Sequence, residues 1–348
     1  MINVLIVDDS AVAREFLMHT INSEPEFEVV GMAANGEAAI KRVKELKPDV
    51  VIMDIFMPIM NGFVATQKIM EKNPVPIIIT SASYDISDTE KSYKALEAGA
   101  LVIVKKPLGE KKPGSEKEIR ELKKFVRLMS EIKVATRWRG ANIQAPSNTF
   151  TKEENGRQSA SIKLIAIGAS TGGPAVIEKI FTEIPKDIPV PIVVVQHMAE
   201  GFMDSFVTWL GNKTGMPIKI AQHGELLLPG HAYFAPDKYH MEVGINDRIV
   251  LSNDEMTYGL KPSVANLFKS VSEHYGFQAA GVLLTGMGVD GARELKLIKE
   301  SGGITIAQNE ESSIVFGMPG EAIRIKAVDY ILNPNGIVDL LTQLVKDK

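Results

Sequence analysis

Short, dense apolar runs alternate with longer amphipathic stretches along the first third of the chain. NVLIV (3–7), FEVVG (27–31), DVVIM (49–53), PIIIT (76–80) and ALVIV (100–104) are rich in β-branched residues and poor in polar ones. That is the pattern of strands covered on both faces. The stretches between them, Ala11–Ile21, Gly36–Leu46, Gly62–Glu71 and Asp88–Ala98, have helical periodicity, and a fifth follows with Ile119, Leu122, Val126, Met129 and Ile132 on one face. Five strands alternating with helices predict a doubly wound parallel α/β sheet.

The pattern lapses near Thr136 and resumes after Ser161. The intervening segment is polar, carries Gly, Pro, Ser and Asn, and reads as a linker, although its RWRG (137–140) would also suit a docking patch. The expected organisation is a domain over 1–134, a linker over 135–161 and a second domain over 162–348. In the second domain LIAIG (164–168), PIVVVQ (191–196), GVLLTG (281–286) and ITIAQ (304–308) restart the alternation. Between Met216 and Leu251, short strand-like pieces are broken by LLPGHAYFAP and GINDR. They predict an antiparallel insertion or edge within a second doubly wound α/β domain.

Composition narrows the function classes. A chain of 348 residues with 45% hydrophobic and 24% charged residues is long enough for two cores. It has no cysteine, which excludes disulfides, thiolate nucleophiles and cysteine-ligated zinc, and fits a reducing compartment. Residues 162–348 hold 16 Lys+Arg and 21 Asp+Glu, which argues against nucleic acid as a partner. The N-terminal apolar run is too short for a signal peptide and no run approaches a membrane span, so a cytoplasmic protein without membrane insertion is expected.

In the first domain, acidic residues gather at predicted strand ends: Asp8 and Asp9 after the first, Asp54 at the end of the third. In an open parallel sheet those ends form the ligand crevice. Three carboxylates meeting there require a cation, and hard oxygen donors suit Mg²⁺. A carboxylate beside Mg²⁺ is also a nucleophile toward a phosphoryl group. Thr80 or Ser81 ends the fourth strand and can hydrogen-bond a new phosphoryl oxygen, and Lys106 ends the fifth and can neutralise its charge. Taken singly, each acid reads as a loop carboxylate capping a helix; it is their joint placement at strand ends that points to a site.

VDDS (7–10), DIFMPIMNG (54–62), TSA (80–82) and KKP (105–107) together resemble the receiver domain of bacterial response regulators, a flavodoxin-like fold. The resemblance implies that Asp54 accepts phosphate from a histidine kinase. It also implies that Asp9, Asp54 and the Phe56 carbonyl bind Mg²⁺, with Asp8 acting through water. Ser81 is the favoured switch hydroxyl because Ala82 follows it, and Ile103 stands where the family usually carries an aromatic switch residue.

In the second domain, LIAIGASTGGPAVI (164–177) carries G-x-S-x-G through Gly168, Ser170 and Gly172, between an apparent strand and an apparent helix. That is the setting of a nucleophile elbow. Anion binding at a glycine-rich helix start competes, but Ser170 replaces the second glycine of the dinucleotide fingerprint and no Gly-Lys-Ser/Thr is present. A nucleophilic serine needs a base and an orienting acid. His197 and Asp290 each follow an apolar strand, so they and Ser170 can meet at neighbouring strand ends. The order Ser…His…Asp differs from that of the α/β-hydrolases. The Met287 N–H, in the turn Gly286-Met287-Gly288, is a candidate oxyanion donor, with core packing the ordinary role of a methionine. His223, His231, His240 and His274 lack that strand-end placement and show no metal-binding spacing.

GASTGG (168–173), QHM (196–198), YFAP (233–236), LTGMGVDGA (284–292) and AQNEESSIVFGMPGEAI (307–323) resemble the catalytic domain of CheB-type chemotaxis methylesterases, which also carry a receiver first. The resemblance implies a serine hydrolase that removes γ-methyl esters from glutamyl residues of methyl-accepting chemoreceptors and deamidates receptor glutamines. It implies Ser170 as nucleophile, His197 as base, Asp290 as orienter and Met287 as oxyanion donor. The kinase CheA would be the phosphodonor. The enzyme would be cytoplasmic, recruited to membrane-associated receptor arrays, and covered by its receiver until phosphorylated. Val289, Ala265 and Gly320 depart from the asparagine, aspartate and arginine usual in the family. A response regulator with a non-catalytic binding output is the alternative.

Overall fold

The computed structural model describes residues 1–81, 94–96, 98–107, 109, 115–132, 134 and 162–346. Most of the helix expected over Asp88–Ala98, the linker at 135–161 and the RWRG segment lie outside the described residues. β1 (Ile2–Val7), β2 (Phe27–Ala33), β3 (Val50–Asp54), β4 (Ile77–Ser81) and β5 (Val102–Lys105) form a sheet in the order β2-β1-β3-β4-β5. Every neighbouring pair is parallel.

Alternate residues of these strands face opposite helix layers. Leu5, Val7, Met53, Ile77 and Ile79 pack with Ala39 and Val43 of the helix Gly36–Leu46 and with Ala65 and Ile69 of the helix Gly62–Lys72. Val4, Ile6, Ile52 and Ile78 pack with Leu17 and Ile21 of the helix Ala11–Asn22 and with Leu122, Val126 and Met129 of the helix Ser115–Ser130. β3 and β4 are buried throughout, which explains why these central runs carry so few polar residues, while the edge strand β2 stays partly exposed. Three helices start on side-chain caps: Ser10, Asn35 and Asn61 accept from the N–H groups of Ala13, Ala38 and Val64.

The second sheet holds β6 (Leu164–Ala169), β7 (Ile192–Gln196), β8 (Ile218–Ile220), β9 (Ala232–Phe234), β12 (Ala279–Leu283), β13 (Ile304–Gln308) and β14 (Tyr330–Leu332). Their order is β14-β13-β12-β6-β7-β9-β8, all parallel. β10 (His240–Val243) and β11 (Ile249–Ser252) form a separate antiparallel pair. The antiparallel insertion expected over Met216–Leu251 is reduced to β10, β11 and an isolated Leu226–Arg248 bridge, while β8 and β9 extend the parallel sheet. The cause is burial on both faces of β9. Phe234 meets Phe181 and Phe206 on one side of the sheet, and Tyr233 joins the cluster on the other.

Both sheets reverse direction of growth at their first strand. The chain adds β2 on one side of β1 and β3 on the other, and β7 on one side of β6 and β12 on the other. Crevices form at the carboxyl ends of strands at such switch points. Among the described residues, no helix is long and apolar enough to cross a membrane.

Phe206 is fully buried, with ring centroids 5.9 Å from Phe234 and 5.8 Å from Trp209. Phe206→Ala is expected to cost the second domain about 3–5 kcal/mol. Urea unfolding of the full chain should then show the second-domain transition moved to lower urea and the first-domain transition in place.

Candidate functional site

The first switch point carries the acidic cluster. Asp8 and Asp54 are buried at 0% and 5% exposure, and Asp9 is exposed. One oxygen from each of Asp8, Asp9 and Asp54 lies within 4.8 Å of the others. Ser10 and Asn61 cap the adjoining helices, so the three acids are not spent on capping. Lys106 Nζ lies 2.5 Å from Asp8 Oδ2 and 3.5 Å from Asp54 Oδ1. Arg14 donates to the main-chain oxygens of Asp8 and Asp9, at 2.6 and 3.0 Å, and so fixes the loop without neutralising the carboxylates.

One ammonium does not balance three carboxylates. Burial pushes the Asp54 carboxyl up to about 6; Lys106 opposes the rise, and Asp8 and Asp9 reinforce it. A cluster of hard oxygen donors short of positive charge fits a small divalent cation such as Mg²⁺. Thr80 and Ser81 are both buried at the end of β4, and Thr80 Oγ1 donates to Met53 O at 3.4 Å. Ile103 is 4% exposed and belongs to the core.

The second switch point carries the serine. β6 runs into a turn at Ser170 and the helix Gly173–Glu183 begins three residues later, as the G-x-S-x-G pattern predicts. The two glycines after Thr171 are needed for different reasons. Gly172 has φ +79, and a Cβ there would also come within 2.8 Å of Ile314 Cβ. At Gly173 a Cβ would fall 2.1 Å from Gln196 Oε1.

Three adjacent strands converge here. Ser170 N–H donates to Thr285 O beyond β12 at 3.0 Å, and His197 N–H donates to Ala169 O on β6 at 3.0 Å. His197 Nε2 lies 3.0 Å from Asp290 Oδ2, with that oxygen off the axis of the ring N–H, so the contact is mainly electrostatic. Asp290 is 1% exposed and its carboxylate is otherwise well satisfied. Oδ1 accepts from Ser263 Oγ at 2.8 Å and Ala265 N–H at 3.0 Å, and Oδ2 accepts from Val264 N–H at 2.7 Å. These donors begin the helix Val264–His274, whose positive end favours an anion. Burial alone would raise the Asp290 carboxyl, but the His197 contact, the Ser263 hydroxyl and the Val264 N–H hold it below its ordinary value. Ala265, where the family usually has aspartate, contributes only its N–H and sets no second carboxylate against Asp290.

Gly286 passes so near Ser170 that a Cβ on it would lie 2.8 Å from Ser170 Cβ, which brings the following Met287 to the rim of the Ser170 turn. Met287 N–H makes no hydrogen bond among the described residues. Beside His197 opens a cleft of about 400 Å³, lined among others by Met198, Glu200, Asp237, Lys238 and Lys261. The other histidines serve the fold or lie exposed. His223 Nδ1 accepts from Leu251 N–H, His231 contacts Pro229 O, His240 is buried against Glu255 O, and His274 is exposed at a helix end.

Sequence reasoning missed three contributors. Ser263 caps the helix Val264–His274, and its bond to Asp290 spans 27 positions. Gln196, buried at the end of β7, donates to Ser170 O and His197 O. Lys117, on the receiver helix Ser115–Ser130, pairs with Glu200 of the cleft. Gln196 stands in the QHM motif without a role assigned to it there, and Lys117 left no local signal.

Residues 165–341 match the family model for CheB methylesterase, and residues 4–113 match that for the response regulator receiver domain. A protein-glutamate methylesterase/protein-glutamine glutaminase of Nitrosospira multiformis is 46% identical over 348 residues, covering 100% of this chain and 98% of its own. One from Syntrophus aciditrophicus is 47% identical, covering 99% and 98%. The crystal structure of the Thermotoga maritima CheB methylesterase catalytic domain, 36% identical, superposes with a TM-score of 0.51 over 53% of this chain and 100% of its own. The chain belongs to the CheB methylesterase family, with a response regulator receiver domain ahead of the catalytic domain.

Because burial raises the native Asp54 value, the folded receiver carries an electrostatic cost above about pH 6 that disappears below the carboxyl's unfolded value near 4. In metal-free buffer Asp54→Asn is therefore expected to stabilise the receiver by on the order of 1–3 kcal/mol at pH 7.5 and by little at pH 4. Thermal melts at the two pH values measure the difference.

Proposed function

We propose that this chain hydrolyses γ-methyl esters of glutamyl residues on methyl-accepting chemoreceptors, and deamidates receptor glutamines at the same serine, under control of its receiver. The observation that carries the reading is the buried Asp290 carboxylate against His197 Nε2, at strand ends flanking Ser170. With Nε2 committed to Asp290, Nδ1 is the nitrogen left to accept the Ser170 proton. Ser170 Oγ attacks the ester carbonyl carbon, and the Met287 N–H stabilises the oxyanion. Collapse breaks the bond to methoxide, which leaves as methanol with the proton from His197. Water, deprotonated by His197, then cleaves the acyl-enzyme to glutamate and free Ser170. On a glutamine the leaving group is ammonia.

In the receiver, Asp54 attacks the phosphorus of a phosphohistidine on the kinase, CheA, and the N–P bond breaks. Asp9, Asp54 and the Phe56 carbonyl would hold Mg²⁺, with Asp8 acting through water, and the ion would offset the charge of the transferring phosphoryl group. Lys106 neutralises the product, and Ser81, which Ala82 follows, takes the switch role.

Two contacts support the receiver as a cover. Ile314, which sits against Gly172 of the nucleophile turn, packs on the core cluster of the receiver helix Ser115–Ser130. Lys117 of that helix holds Glu200 at the His197 cleft. The work is expected in the cytoplasm at membrane-associated receptor arrays. A binding output without catalysis would account for the buried Asp290 carboxylate, but gives no reason to set His197 and the Met287 N–H, unbonded among the described residues, at the Ser170 turn.

Methanol release from a methylated receptor tests the reaction. Ser170→Ala is expected to lower kcat by on the order of 10³ or more, and an unchanged rate would overturn the assignment. Lys117→Ala removes one exposed interdomain ion pair, so the unphosphorylated activity should rise by up to roughly five-fold, with the phosphorylated activity unaltered. Equal basal rates would exclude the ion pair as part of the cover.

A further inference from the structure

The parallel ladder joining β6 to β7 ends at the pair Ala169 and Gln196. Past that pair the chains diverge into the turns that carry Ser170 and His197. One side chain spans the gap. Gln196 Nε2 donates to Ser170 O at 2.9 Å and to His197 O at 2.7 Å, which uses both of its hydrogens. Gln196 is 1% exposed, so water does not compete for either bond.

We propose that Gln196 is a positioning residue for the reaction at Ser170, its single amide fixing the separation of the nucleophile turn from the base turn. The inference rests on the hydrolase reading given above and adds a residue to it. Two carbonyl oxygens bound to one nitrogen cannot drift apart without breaking a buried hydrogen bond. Each oxygen belongs to the residue whose side chain reacts, so the constraint reaches Oγ and the imidazole through one Cα apiece. Proton transfer between them depends steeply on their separation, and a 1 Å misplacement costs on the order of 10²-fold in rate.

The other end of the amide is also built into the site. Gln196 Oε1 is buried without a hydrogen-bond partner and faces Gly173 at the start of the helix Gly173–Glu183. A Cβ at residue 173 would fall 2.1 Å from that oxygen and 3.0 Å from Gln196 Cδ. Gly173 therefore leaves the space the amide needs, although no positive φ is recorded for it. Gln196→Met keeps the length and removes both donors. Gly173→Ala keeps the donors and presses on the amide from the opposite side, with a lesser contact on Ala169 Cβ at 2.8 Å.

The test uses the full chain, phosphorylated with an acyl phosphate in Mg²⁺, with methanol release from a methylated receptor as the readout. Wild type, Gln196→Met, Gly173→Ala and Ser170→Ala are compared, each with its unfolding midpoint. The first two variants are expected to lose about 10² in kcat while KM stays within about three-fold and native unfolding persists at the assay temperature. Wild-type kcat in Gln196→Met would overturn the proposal. So would loss of folding in both variants, because the amide would then hold the domain and not the alignment. An inactive wild type, or an active Ser170→Ala, would instead overturn the hydrolase reading.

Discussion

A carboxylate taken out of water must be given donors, and at Asp290 that requirement organises the catalytic domain. Its two oxygens absorb the first N–H groups of the helix Val264–His274, the Ser263 hydroxyl and the edge of His197. The same bonds that make the burial tolerable also anchor the start of a helix on one face of the sheet and orient an imidazole at its end. Removing the carboxylate would leave several buried donors without an acceptor. Asp290 is in this sense a structural group, and the placement of His197 beside it is a consequence of satisfying it.

The two domains use one topological device to different electrostatic ends. Each places its polar residues at the carboxyl ends of strands flanking the first strand of a parallel sheet, where the crossing helices diverge. In the catalytic domain the charge at that point is balanced internally, with Asp290 held ionised by its donors. In the receiver it is not balanced, since Lys106 faces Asp8, Asp9 and Asp54 and the Asp54 carboxyl is raised to about 6. The first arrangement is ready to act on a neutral ester. The second is short of positive charge, as befits hard oxygen donors grouped around a single ammonium.

Communication between the two sites has a short physical route. The helix Ser115–Ser130 lines the receiver core through Leu122, Val126 and Met129, and that cluster takes in Ile314 from the catalytic domain. Ile314 in turn fills the space beside Gly172, which explains why that turn tolerates no side chain there even apart from its positive φ. A shift of the receiver helix would therefore be felt one or two residues from Ser170. Ile103 lies in the core behind this face rather than on it.

Local sequence was sufficient wherever the relevant physics is local. Dense β-branched runs have to be covered on both faces, so five strands and the doubly wound order could be read directly, as could the turn and helix that follow LIAIG. Ser170, His197, Asp290 and Asp54 were legible because each sits within a few residues of such a strand end. The parallel placement of β8 and β9 was not legible, since three-residue strands carry no period and their partners are chosen by what Tyr233 and Phe234 can bury. Gln196, Ser263 and Lys117 were hidden for a related reason. Their partners lie 26, 27 and 83 positions away, and only the folded chain brings a buried amide, a capping hydroxyl or a surface ammonium to them. Sequence by itself determined which residues carry reactive groups and at which strand ends they stand. Tertiary structure alone decided how those groups are held, because hydrogen bonds and charge act over a few ångströms of space, whatever the separation along the chain.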